Sequence, residues 1–210
     1  MFDGITIDEI MRQIVTALDM PVKVVLIVLL VVSLIMLGGL IAEFFHRKYL
    51  TVKAASVIDA IKKGENDPAT IIKNSRLLTK QKRLLLELTI HSELSDNMKE
   101  NFAVSLLDNY NQNLDFIIKK SDLVIKLGPT FGLLGTLIPL GPGIMALASG
   151  DTTTLSNSML AAFDTTVIGL ISAAICTVIS LLRRRWYSKD RVMLTLIMEA
   201  VLEAEKKGKG

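Results

Sequence analysis

Cysteine is almost missing from this chain. Cys176 is alone, so no internal disulfide can form and the compartment is not written in the thiols. Histidine is nearly as scarce: His46 and His91 stand apart from each other and from any cysteine or carboxylate cluster, which leaves no ligand set for a metal ion. A strong charge of one sign is also lacking. The net charge is +3 and the basic residues are dispersed, which argues against a nucleic-acid module. The glycines at 128, 132 and 135 are not followed by the Lys-Ser/Thr pair of a phosphate loop. No nucleophile, acid–base pair or metal set is gathered anywhere, so the chain does not read as an enzyme and requires no cofactor.

What the chain has is apolar length. Half of its 210 residues are apolar and its mean hydropathy is +0.47, too high for an ordinary soluble domain. Crossing a bilayer takes about 20 residues at about 1.5 Å rise each, and residues 22–45, 123–149 and 158–182 each suffice. The expected fold is all-α: a polytopic membrane protein with three transmembrane helices, the second and third extending into a cytoplasmic helical domain. The pieces in order are an outer-surface amphipathic helix (1–21), the first span, a cytoplasmic helical domain (46–122), the second span, an outer loop (150–157), the third span, and a cytoplasmic carboxyl-terminal helix with a basic tail (183–210).

Local signals support this order. Thr6, Ile7, Asp8 and Glu9 form a capping-box sequence, and Ile7, Ile10, Met11, Ile14, Val15 and Leu18 recur at helical spacing. With Asp3, Asp8, Glu9 and Asp19 against Arg12 alone, this segment lacks the basic opening of a secretory signal. It reads as a helix on the membrane surface, ending at Pro21. The first span closes on Phe44, Phe45, His46, Arg47, Lys48 and Tyr49, an aromatic and basic anchor of the cytoplasmic kind, with Glu43 in reach of water, His46 or Arg47. Beyond it, Val52, Ala55, Ile58 and Ile61 predict a helix closed by Gly64, and Asp67-Pro68 starts another. Leu77 to Ile90 is helical and must bury against something. Ser95 or Asp96 caps a long helix through Phe102, Leu106, Tyr110, Leu114 and Ile117 that runs on into the second span. Lys189 to Lys207 is a helix expected to turn Val192, Leu196 and Val201, with Met193 and Ile197, toward a partner, ahead of a frayed tail with Lys206, Lys207 and Lys209. Arg183, Arg184 and Arg185, with Trp186 and Tyr187 at the inner interface, agree with an amino terminus outside and a carboxyl terminus in the cytoplasm.

The second and third spans each carry a face of small residues. On a wheel of about 100° per residue, Ala162, Thr166, Gly169, Ala173, Thr177 and Ser180 share a stripe edged by Ser158, Thr165, Ser172 and Cys176. In the earlier span Gly128, Gly132, Gly135, Thr136, Pro139, Pro142, Gly143 and Ala146 do the same. A helix that met only lipid would need no such face. Small residues allow close helix packing and hydroxyls can line a wet path, so the stripes read either as packing surfaces or as a lined passage. The paired threonines favour the passage.

Asp164 lies about two turns into the third span, and intramembrane carboxylates are functional candidates by default. It points roughly 160° away from Thr166. It is either one half of a pair, with Lys23 at the outer end of the first span as its partner, or a transport group.

The motifs GPTFGLLGT at 128–136 and AAFDTTVIGL at 161–170, with the three-span layout, resemble the MotA/TolQ/ExbB proton-channel family. The resemblance covers about the last ninety residues by motif and the rest by architecture. It implies a homo-oligomer, a pentamer, in a prokaryotic plasma membrane around the single-span helices of an ExbD/TolR/MotB-like partner dimer, where H⁺ or Na⁺ flow powers movement. It also implies that Thr136 and Thr166 are the pore-lining threonines, and the small stripes then put Thr165, Gly132, Gly169, Ala173 and Thr177 along the same path. A glutamate of ExbB and TolQ aligns with Ala161, and the IPLGPG at 138–143 departs from their pattern, predicting a kink or break. No group on the small stripe titrates near neutral pH, so the ionisable carboxylate is expected from the partner. The rival readings are a membrane scaffold whose stripes only pack helices, and a self-sufficient ion channel using Asp164.

Overall fold

The computed structural model describes residues 6–49, 54–63, 67–90 and 95–207. Asp3, Val52, Gly64, His91 and Lys209 lie outside the described residues. Every described element is an α-helix: α1 (Ile7–Ala17), α2 (Asp19–Tyr49), α3 (Ala54–Lys63), α4 (Pro68–Asn74), α5 (Thr79–Ile90), α6 (Asp96–Ala148) and α7 (Thr152–Lys207). Among the described residues three helical stretches, Ile7–Lys48, Asn97–Ala148 and Thr152–Lys206, are long and apolar enough to cross a membrane.

The termini of these helices follow from local chemistry. At the start of α1 the Thr6 N–H donates to Glu9 Oε2 at 3.2 Å, as the capping sequence predicts. Pro21 does not end this helix. The break falls at Leu18, and Pro21 sits in the first turn of α2, where a missing N–H costs nothing because it would have no intrahelical partner. Asp67 and Pro68 open α4 as expected. Ser95 accepts the Lys99 N–H at 2.9 Å, and α6 then runs without interruption into the apolar stretch. Pro129, Pro139 and Pro142 all lie inside it, so IPLGPG does not break the helix; in a membrane helix the freed carbonyls are met by neighbours and small local adjustments. Gly150, at φ +79°, closes α6 with the Gly150 N–H on the Leu147 carbonyl (3.0 Å) and the Asp151 N–H on that of Ala146 (2.9 Å). Asp151 then caps α7, taking the Thr154 N–H at 3.0 Å and the Thr154 hydroxyl at 2.5 Å. These bonds, the hydroxyl's first, hold the Asp151 carboxyl below its usual range. Thr152 to Asn157, expected as loop, is therefore already helix.

The chain divides into two units, Met1–Gly39 with Lys119–Leu181 and Leu40–Ile118 with Leu182–Gly210. In the second, Val57, Ile61, Ile72, Leu85, Leu88, Leu106, Tyr110, Leu194, Ile197 and Val201 form one core. The carboxyl-terminal helix meets it through Leu194, Ile197, Met198 and Val201, whereas Val192 and Leu196, predicted to face a partner, stay 60% and 46% exposed. Ile197 and Val201 belong to the predicted face and are buried, Val192 and Leu196 of the same face are not, and Leu194, outside it, is buried. Tyr187, expected at a membrane interface, is buried in this core.

In the first unit, α6 and α7 pack glycine to backbone. A Cβ added at Gly128 would lie 2.6 Å from the Gly169 carbonyl oxygen and 3.3 Å from Ala173 Cβ; one at Gly135 would lie 2.6 Å from Thr165 Cβ. A Cβ at Gly169 would strike the Gly128 backbone itself. Neither backbone can rotate aside as a side chain would. Leu29 of α2 packs with Val124 and Cys176 beside this seam, and the Ser121 hydroxyl points at Met36 Sδ, 3.8 Å away. Gly128→Ala is therefore expected to destabilise the purified protein by about 1–3 kcal/mol. Gly141→Ala, whose Cβ meets nothing within 4 Å, is expected to leave the thermal unfolding midpoint unchanged or raised; equal midpoints for the two variants would contradict the seam.

Candidate functional site

The seam divides the residues predicted to line an ion path. Gly132, Thr165, Gly169 and Ala173 are buried in it. The Thr165 hydroxyl donates to the Ala162 carbonyl at 2.9 Å within that seam, and a Cβ on Gly132 would sit 3.5 Å from Thr165 O and Thr166 Cα. In this conformation these four serve contact between two helices of one chain, and they are not open to an ion. A helical wheel finds a small face but does not say which neighbour it meets.

Thr136 and Thr166 are half-buried at the edge of the seam, and Thr177 is exposed. Each donates its hydroxyl hydrogen to its own helix: Thr136 to Leu133 O at 2.7 Å, Thr166 to Ala162 O at 3.2 Å and Thr177 to Ala173 O at 2.8 Å. A carbonyl oxygen can only accept, so the proton of each threonine is committed. What each threonine presents outward is lone pairs. It can take a hydrogen bond from water or a neutral acid, or help to coordinate a cation, and it has no donor left for an ionised carboxylate.

Asp164 is exposed, and among the described residues it has neither an ion pair nor a hydrogen-bond partner. The pairing expected with Lys23 is not formed. Lys23 Nζ instead meets Asp19 Oδ2 at 2.6 Å, one helical turn earlier on α2, where pairing requires no second helix to be brought into register. Asp122 joins α6 to α7 by accepting the Ser180 hydroxyl at 2.9 Å, a tie without a signature in the sequence.

A second polar cluster lies in the unit formed by Leu40–Ile118 and Leu182–Gly210. Glu43 accepts from Arg47 Nε at 3.1 Å, Arg183 Nε at 3.3 Å and the Tyr187 hydroxyl at 3.4 Å. Arg47 also grips Asp190 with both terminal nitrogens, at 3.1 and 2.6 Å, and its guanidinium lies 5.3 Å from the Trp186 ring centre and 5.6 Å from that of Tyr187. Burial disfavours the Arg47 charge, but the Asp190 and Glu43 carboxylates outweigh it and its pKa is raised. The sequence marked Glu43 and Arg47 as neighbours but gave no sign of Asp190, which is 143 positions further along. The cluster is half-buried and ties residues 143 positions apart, so it reads as a fastening between α2 and α7.

Burial first, and then the charge of Glu43, push the Tyr187 phenol up from 10.0 to about 12. Between those values the folded chain keeps a proton that the unfolded chain releases, so stability is expected to fall as pH rises through that window and to level off above it. An ultraviolet titration of phenolate absorbance in the wild type and in Tyr187→Phe checks this. The latest-ionising step is expected to vanish in the variant, and its persistence would assign that proton to another tyrosine.

Comparison with known protein families gives a match over residues 69–194 to the MotA/TolQ/ExbB proton channel family. A comparison with curated proteins gave no match. The matched span takes in most of the helical core, the whole of the second apolar stretch, the α6·α7 seam and the threonines at its edge. The family consists of channel and stator proteins rather than enzymes, and its members work with ExbD/TolR/MotB-type partners in oligomers. Three membrane-length helices, a glycine seam flanked by hydroxyls, and this match over more than half the chain make the protein a multi-pass membrane member of the MotA/TolQ/ExbB proton channel family, a proton-channel subunit of the stator type.

Proposed function

We propose that the chain is the path-lining subunit of an ion-driven energiser complex in a prokaryotic plasma membrane. Copies of it, five by the family resemblance, surround the single-span helices of an ExbD/TolR/MotB-like dimer. The amino terminus lies outside, and residues 46–122 and 183–210 lie in the cytoplasm. Thr136, Thr166 and Thr177 face the partner and the ion. Gly132, Thr165, Gly169 and Ala173 hold the two lining helices at fixed separation behind them.

The observation that carries this reading is the committed hydroxyl hydrogen. Threonines that present only acceptors favour a carboxyl in its protonated, neutral form over the same group ionised. A carboxyl carried on a partner helix is then accepted at these threonines when protonated and is less well held once it releases its proton. Ion transfer is thereby coupled to a change in where the partner helix is most stable, which is what a stator requires. The same lone pairs can coordinate Na⁺, so they do not choose between the two ions.

The scaffold reading draws support from the glycine seam, since part of each stripe is spent on packing. Thr136→Val and Thr166→Val separate the two, because valine keeps the shape and removes the acceptor. Losing an acceptor for a charged or acidic donor costs roughly 1.5 kcal/mol or more, about tenfold. Proton flux through vesicles holding the full complex is expected to fall at least that much, with the oligomer intact and with recovery in the serine variants. Undiminished flux would favour the scaffold. The chain alone is expected to carry no pH-dependent current; a current abolished by Asp164→Asn would favour a self-sufficient channel instead.

A further inference from the structure

α1 does not pack tightly on α6. Between them runs an open groove of about 710 Å³, lined by Met11 and Val15 of α1 and Leu137 and Met145 of α6, with Gly141 and Arg12 also in its lining. The apolar walls are left uncovered by the rest of the chain: Met11 is 59% exposed, Val15 44%, Leu137 57% and Met145 61%. A Cβ added at Gly141 would meet nothing within 4 Å, so the groove is open at this position as well. Gly141 lies about 200° around the helix from Gly143, whose missing Cβ is what lets α6 meet Ser158 of α7. The groove reaches the edge of that contact, because Ser158 of α7 lines it together with Pro139 and Pro142 of α6.

The charges of the groove do not cancel. Asp19 also lines it, but Asp19 is paired with Lys23 at 2.6 Å. Arg12 has no carboxylate partner among the described residues, and Asp8 and Glu9, in the first turn of α1, do not line the groove. What remains is an apolar slot beside the second apolar stretch, with one guanidinium unpaired among the described residues in its lining, close to where α6 hands over to α7. In a bilayer such a slot fills with acyl chain without any specific recognition, because the surrounding solvent is lipid. The guanidinium adds selectivity, since its planar fork matches two oxygens of a phosphodiester.

We propose that this groove is a binding site for one anionic phospholipid, its acyl chain lying between Met11, Val15, Leu137 and Met145 and its phosphate on Arg12. The lipid completes the packing of α1 against α6 that the protein leaves unmade.

The test uses the full complex in nanodiscs of mixed phosphatidylglycerol and phosphatidylcholine, with photoreactive acyl-chain probes of each lipid and mapping of the labelled peptides. Phosphatidylglycerol probe is expected to label residues 137–145 and α1 about five-fold more than phosphatidylcholine probe, the preference of a single basic group near an anionic surface. Arg12→Gln is expected to remove that preference while labelling by the phosphatidylcholine probe persists. Gly141→Leu, which adds bulk at a lining position whose Cβ meets nothing within 4 Å, is expected to cut labelling by both probes. Equal labelling by the two probes in the wild type would overturn the proposal. So would absence of label from 137–145 together with a cross-link through the groove to a second copy, which would give the slot to protein.

Discussion

The closeness of two backbones at Gly128 and Gly169 is the constraint on which the membrane part of this protein depends. Between helices surrounded by lipid there is little hydrophobic gain in association, because lipid tails are as apolar as the side chains they would replace. What remains is van der Waals contact, and contact at this range requires that neither helix carry a side chain there. The glycines at 128, 132, 135 and 169 supply that, and Ala173 and Thr165 fill the little room that is left. Once the two helices are this close, the rest of each small face can only lie at the edge. That is where Thr136, Thr166 and Thr177 stand.

Much of this was legible in the sequence. The Asp67-Pro68 start, the capping residues ahead of α1, and the passage of one long helix from Ser95 through the second apolar stretch are local features with local causes, and each has the form that the residues predict. Features set by a distant neighbour were not legible. A pair with Lys23 on another helix was one of two readings of Asp164, and here Lys23 meets Asp19 one turn away. Of the face predicted for the carboxyl-terminal helix, the core takes Ile197 and Val201, adds Leu194, and leaves Val192 and Leu196 exposed. The small stripes showed that something comes close without showing that it belongs to the same chain.

The fastening at Glu43, Arg47 and Asp190 illustrates the same limit from the other side. Each of its residues reads in isolation as an ordinary boundary charge. Together they satisfy one another, with Arg47 using its whole fork and an aromatic face on Trp186. A lysine at 47 would keep the charge and lose the geometry, because an ammonium cannot reach two carboxylates along one plane. The position is thus specified by shape as well as by sign.

The tight corner at Gly150 and Asp151 has a mechanical corollary. With only Ser149, Gly150 and Asp151 between the last turn of α6 and the first of α7, and both helix ends tied down by that corner, the hairpin has no slack in which one rod could slide along the other. Within the unit that holds this corner, the two rods can roll or splay about it but cannot slip lengthwise past each other.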